Sequence, residues 1–382
     1  MKKIGYLTFA ALLALGSCTN EINEEGFVDK ANTISFNAYS NKTRTLTGDV
    51  TTDNMKQDNF GVVGYKSDNS IYLFKNTDRA VEQKWQPSGE SGSWEYSDMG
   101  DLKFWPNETM DFYAYFPYSD NATFANSDAS GDVMTIPSVD CTHDVLFTKC
   151  TTPYVSRVPL TFHHAFSKIK QVSVEIANSP AGFVNNLGVS VEIQKVEFIN
   201  TSTRGTVKVD YAGVASYTTA SPNETLSKDL SSTPVTVSST SLTETLIDNS
   251  ASGGYLFATS TSSTVKGTEK TMWDGTKTLL TEGNTLENLG QVCLKLTCKV
   301  KDDAHYYVGD ASSYDVMYIP LKGNDSDNNS VTSFEAGKRY TYKIVMKDNV
   351  GFNNNGDPIL NPILFNVSSV TGWDDVTVTI TL

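Results

Sequence analysis

The sequence predicts an all-β protein built from antiparallel β-sandwiches. Almost every apolar segment beyond residue 33 alternates apolar and polar residues with a period of two, which is typical of half-buried strands. Short clusters of Ser, Thr, Asn, Asp and Gly separate these segments and favour turns. No sustained stretch has the 3.6-residue apolar repeat of an amphipathic helix. Many short strands of this kind pack most naturally as facing sheets.

The N-terminus is predicted to be an export signal. Two lysines precede an apolar run over residues 4–15, which is shorter than the ~20 apolar residues of a membrane-spanning helix and has the flanks of a secretory signal. The next residues, Gly-Ser-Cys after a leucine, resemble a bacterial lipobox, whose cysteine becomes the lipidated first residue of the mature chain. We therefore predict a lipoprotein signal peptide over residues 1–17, lipidation of Cys18, and an acidic, polar tether over residues 18–33. The alternative is an ordinary cleaved signal with Cys18 incidental.

The period-two segments predict strands throughout the mature chain. The clearest cover residues 34–38, 172–176, 191–193, 207–209 and 376–382. In the first segment, Ile34, Phe36 and Ala38 share one parity and are expected to bury one face of a strand. In the last segment, the apolar residues of one parity are Val376, Val378, Ile380 and Leu382.

A change of composition predicts two domains. Residues 60–118 are rich in aromatic side chains, whereas residues 201–290 are dominated by Thr and Ser. A chain of 382 residues is also long for one domain, since a domain usually holds ~100–200 residues. We therefore predict an N-terminal β-sandwich domain over residues 34–158 and a C-terminal β-sandwich domain over residues 159–382.

Composition and missing motifs argue against several classes of function. The formal charge is −14, whereas a nucleic-acid-binding protein needs a basic face. The sequence has four histidines, which are few for a histidine-based proton relay. The sequence also lacks a G-x-S-x-G nucleophile elbow and a glycine-rich phosphate loop. We predict a protein that is not an enzyme, with no catalytic residue, no metal, no cofactor and no nucleic-acid partner.

Two segments bear a partial likeness to metal sites. Cys141 and Cys150 have a histidine between them, but they lack the C-x₂₋₄-C spacing of structural zinc sites. Residues 325–329 begin like a calcium loop, but Ser330 stands where glycine is needed and Ala336 where a bidentate acid is needed. We interpret the first segment as ordinary strand and the second as a solvated turn.

The remaining cysteines permit few disulfides. An exported protein can form them, and Cys141 and Cys150 are close enough in sequence for a bridge, although nothing requires one. Cys293 and Cys298 lie five residues apart on one predicted strand, which places them on opposite faces and about 16 Å apart. They are therefore expected to be buried small hydrophobes, or partners of cysteines elsewhere.

Three fragments carry a resemblance to a known family. The first is residues 104–106 (FWP), followed by the aromatic segment 111–117 (DFYAYFP). The second is residues 143–147 (HDVLF), followed by residues 158–169 (VPLTFHHAFSKI). The third is residues 334–342 (FEAGKRYTY). In this order, behind a lipobox, they resemble the fimbrillin-like proteins of the Bacteroidales, the family of the major and minor fimbrillins.

The resemblance implies two transthyretin-like antiparallel β-sandwich domains and a role as a structural or accessory subunit of cell-surface fimbriae, serving adhesion and biofilm formation. In such proteins a lipoprotein precursor reaches the outer membrane, and a trypsin-like or Arg-specific protease removes an N-terminal segment that includes the first strand. A strand from a neighbouring subunit then fills the groove. The implied partners are other fimbrial subunits, the outer-membrane lipid through Cys18, and host or bacterial surface ligands.

The resemblance assigns roles to particular residues of this sequence. Ile34, Phe36 and Ala38 would belong to the displaced first strand, and Arg44 would be the processing site, with Lys42 as the second choice. Arg44 could equally be a solvated turn residue. The candidate donor strand carries Val376, Val378, Ile380 and Leu382, although the same strand could pair within its own domain.

A second class of function stays open from the sequence. Trp85, Trp94 and Trp105 could form a platform on which sugars stack, which would suit a surface lipoprotein that binds glycans without polymerising. In a β-sandwich, however, tryptophans are more often part of the core or cover a sheet edge.

Overall fold

The computed structural model describes most of the chain beyond residue 32. The described residues are 33–40, 50–76, 78–88, 91–125, 131–177, 184, 188–219, 224–241, 243–260, 264–267, 270–276, 285–288, 290–325, 327–347, 349–359, 364–367, 374–376 and 379–381. For residue 91 and for the ranges from residue 364 onward, only the backbone is described.

The regular secondary structure of the described chain is almost entirely strand, which confirms the predicted all-β class. The first elements are β1 (Phe36–Ser40), α1 (Thr52–Met55), β2 (Phe60–Lys66), β3 (Ile71–Leu73), β4 (Val81–Ser88), β5 (Ser91–Tyr96), a 3₁₀ turn (Met99–Asp101), β6 (Met110–Phe116), β7 (Thr123–Phe124), β8 (Asp132–Asp140), β9 (Leu146–Thr152) and β10 (Val158–His164). The central elements are β11 (Phe166–Ile176), β12 (Ser190–Ile199), β13 (Arg204–Asp210), β14 (Ala215–Thr219), β15 (Leu226–Asp229), β16 (Val235–Val237), β17 (Thr243–Asp248), β18 (Tyr255–Phe257) and β19 (Val265–Lys266). The last elements are β20 (Cys293–Lys301), β21 (Tyr306–Val308), β22 (Asp315–Pro320), β23 (Gly323–Asn324), β24 (Ser330–Val331), β25 (Lys338–Met346), β26 (Leu364–Val367), β27 (Asp374–Val376) and β28 (Thr379–Thr381).

The first sheet closes on itself. Its strand order is β3-β2-β4-β5-β1-β10-β9-β6, and β6 also pairs with β2. The pairings from β2 through β4, β5, β1, β10, β9 and β6 back to β2 therefore form a closed ring, which we call the β1 ring. Closure of a sheet removes unpaired strand edges.

Alternate side chains of the β1 ring face inward and form one apolar core. Each strand contributes residues of a single parity, as the pleat of a strand requires. Its largest buried rings belong to Phe36, Phe60, Trp94, Phe112 and Phe162. The period-two pattern of the sequence is thus the inward and outward alternation of this ring.

A small sheet covers the outer face of β2 and β6. It has the order β19-β14-β13-β8-β7 and shares a second apolar core with Tyr65, Tyr113 and Tyr115. The hydroxyl of Tyr113 donates to the carbonyl of Tyr211 at 2.8 Å, so the buried phenol keeps a hydrogen bond.

The remaining strands form a sandwich of their own. One sheet has β11 and β25 at its centre, and the facing sheet is built around β12 and β20. Inward residues from both sheets share the largest buried apolar cluster, which includes Val174, Phe198, Leu296 and Ile344. Within the described residues, no helix is long and apolar enough to cross a membrane.

Two sets of strand pairings cross the predicted domain boundary at residue 158. β10 begins at Val158 and pairs with β1 and β9, so residues 159–164 lie in the β1 ring. β13 pairs with β8, so part of the predicted C-terminal domain is in one sheet with part of the N-terminal one. The boundary and the transthyretin-like topology of two domains stay predictions.

Candidate functional site

The strand that completes the β1 ring is the candidate functional element. β1 lies between β10 and β5. It pairs with β10 in parallel along its whole length, from Phe36 opposite Val158 to Ser40 opposite Phe162. Its pairing with β5 is a single antiparallel residue pair, Phe36 with Trp94. Removing β1 would therefore leave the ring open between β10 and β5.

The side chain of Ile34, two residues before β1, and the inward side chains of β1 are part of the core. Ile34, Phe36 and Ala38 are at most 5% exposed, which matches the parity predicted from the sequence. Phe36 meets Phe60 and Phe112 edge to face, with ring centroids 6.1 and 5.7 Å apart. Such contacts stabilise a core by more than the buried area alone.

Hydrogen bonds hold both ends of the segment. At the start, the Ile34 amide donates to the Lys103 carbonyl at 2.9 Å, and the Tyr96 hydroxyl donates to the Ile34 carbonyl at 2.8 Å. At the end, the Ser40 amide donates to the Thr52 hydroxyl oxygen at 3.1 Å. Because these bonds involve backbone atoms of Ile34 and Ser40, they do not depend on which side chains the segment carries.

The predicted lipidation and processing residues lie outside the described residues. Cys18 precedes residue 33, and Lys42 and Arg44 fall in residues 41–49. The structure describes the chain on both sides of that second segment. Ser40 and Thr52 hydrogen bond to each other, so residues 41–49 connect two neighbouring points of the molecule.

The candidate donor residues are only partly described. Val376 ends β27, which pairs in parallel with β25, and Ile380 is the middle residue of β28, which pairs with β26 and β23. Val378 and Leu382 lie outside the described residues. In this single chain the terminal segment thus pairs with strands of its own molecule, and its role as a donor stays a prediction.

Two of the sequence fragments that carry the family resemblance meet in space. β11 and β25 pair in parallel, with Lys168 opposite Arg339. The Ser167 hydroxyl donates to the Glu335 carbonyl at 2.9 Å, and the Gly337 amide donates to the Phe166 carbonyl at 2.8 Å. Gly337 has a φ of 74°, a conformation that favours glycine. The end of the second fragment and the third fragment therefore pair in the second sandwich, whereas residues 158–164 of the second fragment lie in the β1 ring.

The tryptophans pack against the interior of the β1 ring. Trp94 is 4% exposed, and its cross-strand neighbour Trp85 meets it edge to face with centroids 5.6 Å apart. The Lys56 ammonium lies over the Trp85 ring, 5.0 Å from the ring centroid. Trp105 is half-buried against Phe112. On the described surface, the three indoles do not form a shared exposed platform for a sugar.

The four described cysteines are free thiols. Cys298 lies in the core between the sheets of the second sandwich, whereas Cys293 lies in a separate cluster around Trp273. This difference shows that the two thiols occupy opposite faces of β20, as their spacing predicts. Burial raises the pKa of both thiols, which leaves them protonated and unreactive.

The two metal-like segments have ordinary roles among the described residues. Asp144 and His164 form a buried pair, with Nδ1 and Oδ2 2.6 Å apart. The Asp325 carboxylate accepts hydrogen bonds from the amides of Asp327 and Asn329 and closes the turn between β23 and β24. No group of three or more candidate ligands that could hold a metal occurs in the part of the chain that the structure describes.

The sequence analysis missed two buried residues of the β1 ring, Tyr96 on β5 and Gln83 on β4. Tyr96 supplies the hydroxyl that binds the Ile34 carbonyl, and burial raises the pKa of that phenol. Gln83 is completely buried on β4. A signal for Gln83 exists in the sequence, because it shares its parity with the apolar residues Val81 and Trp85.

Comparison with known proteins agrees with the resemblance. Among solved structures, the chain is similar to a fimbrial protein from Bacteroides vulgatus at 16% identity, covering 90% of this chain and 99% of that one with a TM-score of 0.46. It is also similar to the fimbrial anchor protein Mfa2 from Porphyromonas gingivalis at 9% identity, covering 91% and 99% with a TM-score of 0.34. Comparison with curated proteins gave no match. A model of the family described as fimbrillin-like matches residues 43–362, which is most of the chain. The chain therefore belongs to the fimbrillin-like family.

Proposed function

We propose that this protein is a non-enzymatic structural or accessory subunit of cell-surface fimbriae that assembles by β-strand exchange and serves adhesion or biofilm formation. Membership of the fimbrillin-like family supports the coarser statement, a fimbrial or adhesion-related subunit at the cell surface. The finer statement includes export as an outer-membrane lipoprotein anchored at Cys18, cleavage after Arg44, and other fimbrial subunits as partners.

The observation that carries the proposal is the position of β1 in the ring. Among the described strands β1 comes first in sequence, and residues 41–49 link it to the rest of the ring. One cleavage after Arg44 would therefore leave β1 held by noncovalent contacts alone. Its departure would expose the facing edges of β5 and β10 and the apolar interior beside Phe60 and Phe112.

An open ring of this kind is a binding site for an extended segment. Backbone hydrogen bonds along β10 give affinity, and alternate side chains that enter the interior give register. A strand whose apolar residues recur at every second position fits such a groove. The residues Val376, Val378, Ile380 and Leu382 of another subunit have that pattern.

The mature N-terminus tests the proposal directly. The protein is extracted from the cell surface and analysed by N-terminal sequencing and intact-mass measurement. We expect a chain that begins at Thr45 and that runs as an SDS-resistant ladder on a gel. The Arg44→Ala variant should keep the first strand and form no ladder. Lys42→Ala is the matched control, and it should still begin at Thr45 and form the ladder.

The opposite result is equally definite. A protein that stays lipidated at Cys18 and monomeric even after trypsin treatment would contradict a polymerising subunit.

A further inference from the structure

A small cavity lies where the connection between β12 and β13 meets the ends of β14 and β18. Its volume is about 240 Å³, and it is lined by residues 200–202, Thr219, Phe257, Thr259 and Lys270. All of these except Phe257 are polar, whereas the cores of the neighbouring layers are apolar. A cavity in which a few polar groups converge is the usual form of a site for a small molecule.

Hydrogen bonds within the chain fix the wall that residues 200–202 form. The Asn200 amide nitrogen donates to two backbone carbonyls, at 2.7 and 3.4 Å. The hydroxyls of Thr201 and Ser202 each donate to a backbone carbonyl, at 2.6 and 3.0 Å. The Phe257 amide donates to the Ser202 carbonyl at 2.9 Å. This wall is therefore preformed, and its three side chains have only acceptor oxygens left to offer a ligand.

The other polar groups of the cavity keep donors available. The Thr259 hydroxyl oxygen accepts from the Phe334 amide at 2.8 Å, and its own proton has no acceptor among the described residues. The Thr219 hydroxyl and the Lys270 ammonium likewise form no hydrogen bond with a described residue. The cavity thus presents two hydroxyl donors and one charged donor on the side away from the preformed wall.

Lys270 carries a charge that its surroundings do not balance. It is partly buried, and no described carboxylate forms an ion pair with it, although the chain as a whole has a formal charge of −14. Burial lowers the pKa of the Lys270 ammonium, and no neighbouring charge contributes to that change. Withdrawing an ammonium from water without a partner is costly. An anionic group in the cavity would stabilise it.

The donors and acceptors of the cavity define the class of ligand. One ammonium and two hydroxyl donors match a carboxylate, which carries a single charge and only accepts hydrogen bonds. The acceptor oxygens of residues 200–202 match hydroxyl groups on the same ligand. A doubly charged phosphate is better matched by an arginine fork, and the described lining contains no arginine.

We propose that this cavity binds a small hydroxylated carboxylate, which is the chemistry of a single acidic sugar. Its carboxylate would lie against Lys270, Thr219 and Thr259, and its hydroxyl groups would donate to the oxygens of residues 200–202. The inference goes beyond the proposed assembly and does not rest on it, because none of the lining residues belongs to the β1 ring. Such a site would give the subunit a ligand of its own at the cell surface.

Calorimetric titration of the full chain tests the inference. The probes are sodium D-glucuronate, D-glucose and inorganic phosphate. Glucuronate and glucose differ only in the carboxylate that replaces the terminal hydroxymethyl group, so their comparison isolates the charge. We expect glucuronate to bind at least about tenfold more tightly than glucose, which is the effect of one charge-assisted hydrogen bond, and phosphate to bind more weakly than glucuronate.

Three variants assign the binding to this cavity. Lys270→Met keeps the length of the side chain without its charge and should weaken glucuronate binding about tenfold or more. Lys266→Met is the matched control, because Lys266 is an exposed lysine of β19, and it should leave the affinity unchanged. Thr219→Val keeps the shape and removes one donor, so it should weaken binding about fivefold. Guanidinium unfolding should show a midpoint for Lys270→Met at least as high as that of the wild type.

Several results would overturn the inference. These are equal affinities for glucuronate and glucose, phosphate binding as tight as glucuronate binding, glucuronate binding that survives Lys270→Met, and a chain that binds none of the three probes. The SDS-resistant ladder is measured separately and should be the same for Lys270→Met as for the wild type. Failure of the ligand site would therefore leave strand exchange standing, and loss of the ladder would not count against the ligand site.

Discussion

Phe36 ties β1 to the ring through side-chain packing. It is fully buried, and it meets two aromatic rings that belong to β2 and β6 on the far side of the interior. Truncating a buried phenylalanine typically costs about 3–5 kcal/mol of unfolding free energy. The single residue pair with β5 adds little backbone pairing on that side, so side-chain packing carries a large share of the attachment of β1.

The residue-scale prediction is that Phe36→Asp damages the precursor and spares the processed subunit. A carboxylate in this apolar interior would be unpaired, so the uncut variant should lose at least the 3–5 kcal/mol of a truncation. Once β1 is gone, residue 36 is no longer part of the fold. Guanidinium unfolding of the uncut chain and polymerisation of the cut chain measure the two effects.

The control at the same position is Phe36→Leu, which should destabilise the precursor much less. A processed Phe36→Asp subunit that fails to assemble would argue that residue 36 is still present in the assembled form.

At the scale of elements, the ring is defined by strands that are distant in sequence. β1 and β10 pair in parallel although more than a hundred residues separate them, and β2 pairs with β6 to close the ring. The terminal strands β27 and β28 are short and pair with different partners, β25 and β26. The terminal strands are therefore paired within their own chain, and strand exchange would require those pairings to break.

The element-scale prediction concerns the terminal segment. Deleting residues 376–382 should lower the unfolding midpoint of the monomer, because β27 and β28 pair with strands of their own chain, and should also abolish polymerisation if the segment is a donor. If the segment only stabilises its own domain, the midpoint should fall while the subunits that remain folded still assemble.

Two point variants serve as matched controls, because they test the parity of the segment. Val378→Asp places a charge on the apolar parity and should block assembly, whereas Thr377→Asp changes the other parity and should be tolerated. Equal effects of the two substitutions on assembly would contradict a register-specific donor strand.

At the scale of the whole molecule, apolar cores rather than covalent links hold the described chain together. Its cysteines are free, and three of the four are buried within clusters that belong to different layers. Burial raises the pKa of the Cys141, Cys293 and Cys298 thiols, with desolvation as the main cause. Cys150 is only partly buried and its thiol pKa is raised for the same reason.

The whole-molecule prediction is that reductant leaves stability unchanged. The guanidinium midpoint should be the same with and without dithiothreitol, because no disulfide joins the described cysteines. A thiol reagent near pH 8 should modify Cys150 first and the buried thiols only on unfolding. Removing Cys150 by Cys150→Ser should abolish the early labelling. Rapid labelling of several thiols in the folded chain would contradict the described packing.

The family resemblance and the β class were readable from the sequence, whereas the layout of the sheets was not. The shared parity of Ile34, Phe36 and Ala38 correctly predicted which face of residues 34–38 is buried. The composition shift near residue 158 did not reveal that residues 159–164 join the β1 ring. Composition reports on local solvent exposure, but sheet membership depends on which distant strand supplies the hydrogen bonds.

The sequence by itself determined the side-chain parity of the strands and the opposite faces of Cys293 and Cys298, because both follow from the local geometry of an extended chain. Only the tertiary structure decided that β1 completes a closed ring, that Tyr96 holds its backbone, and that the Gln83 amide is buried without a partner among the described residues. These features depend on pairings between segments far apart in sequence, and the free energy of such pairings is set by the whole fold rather than by any one segment.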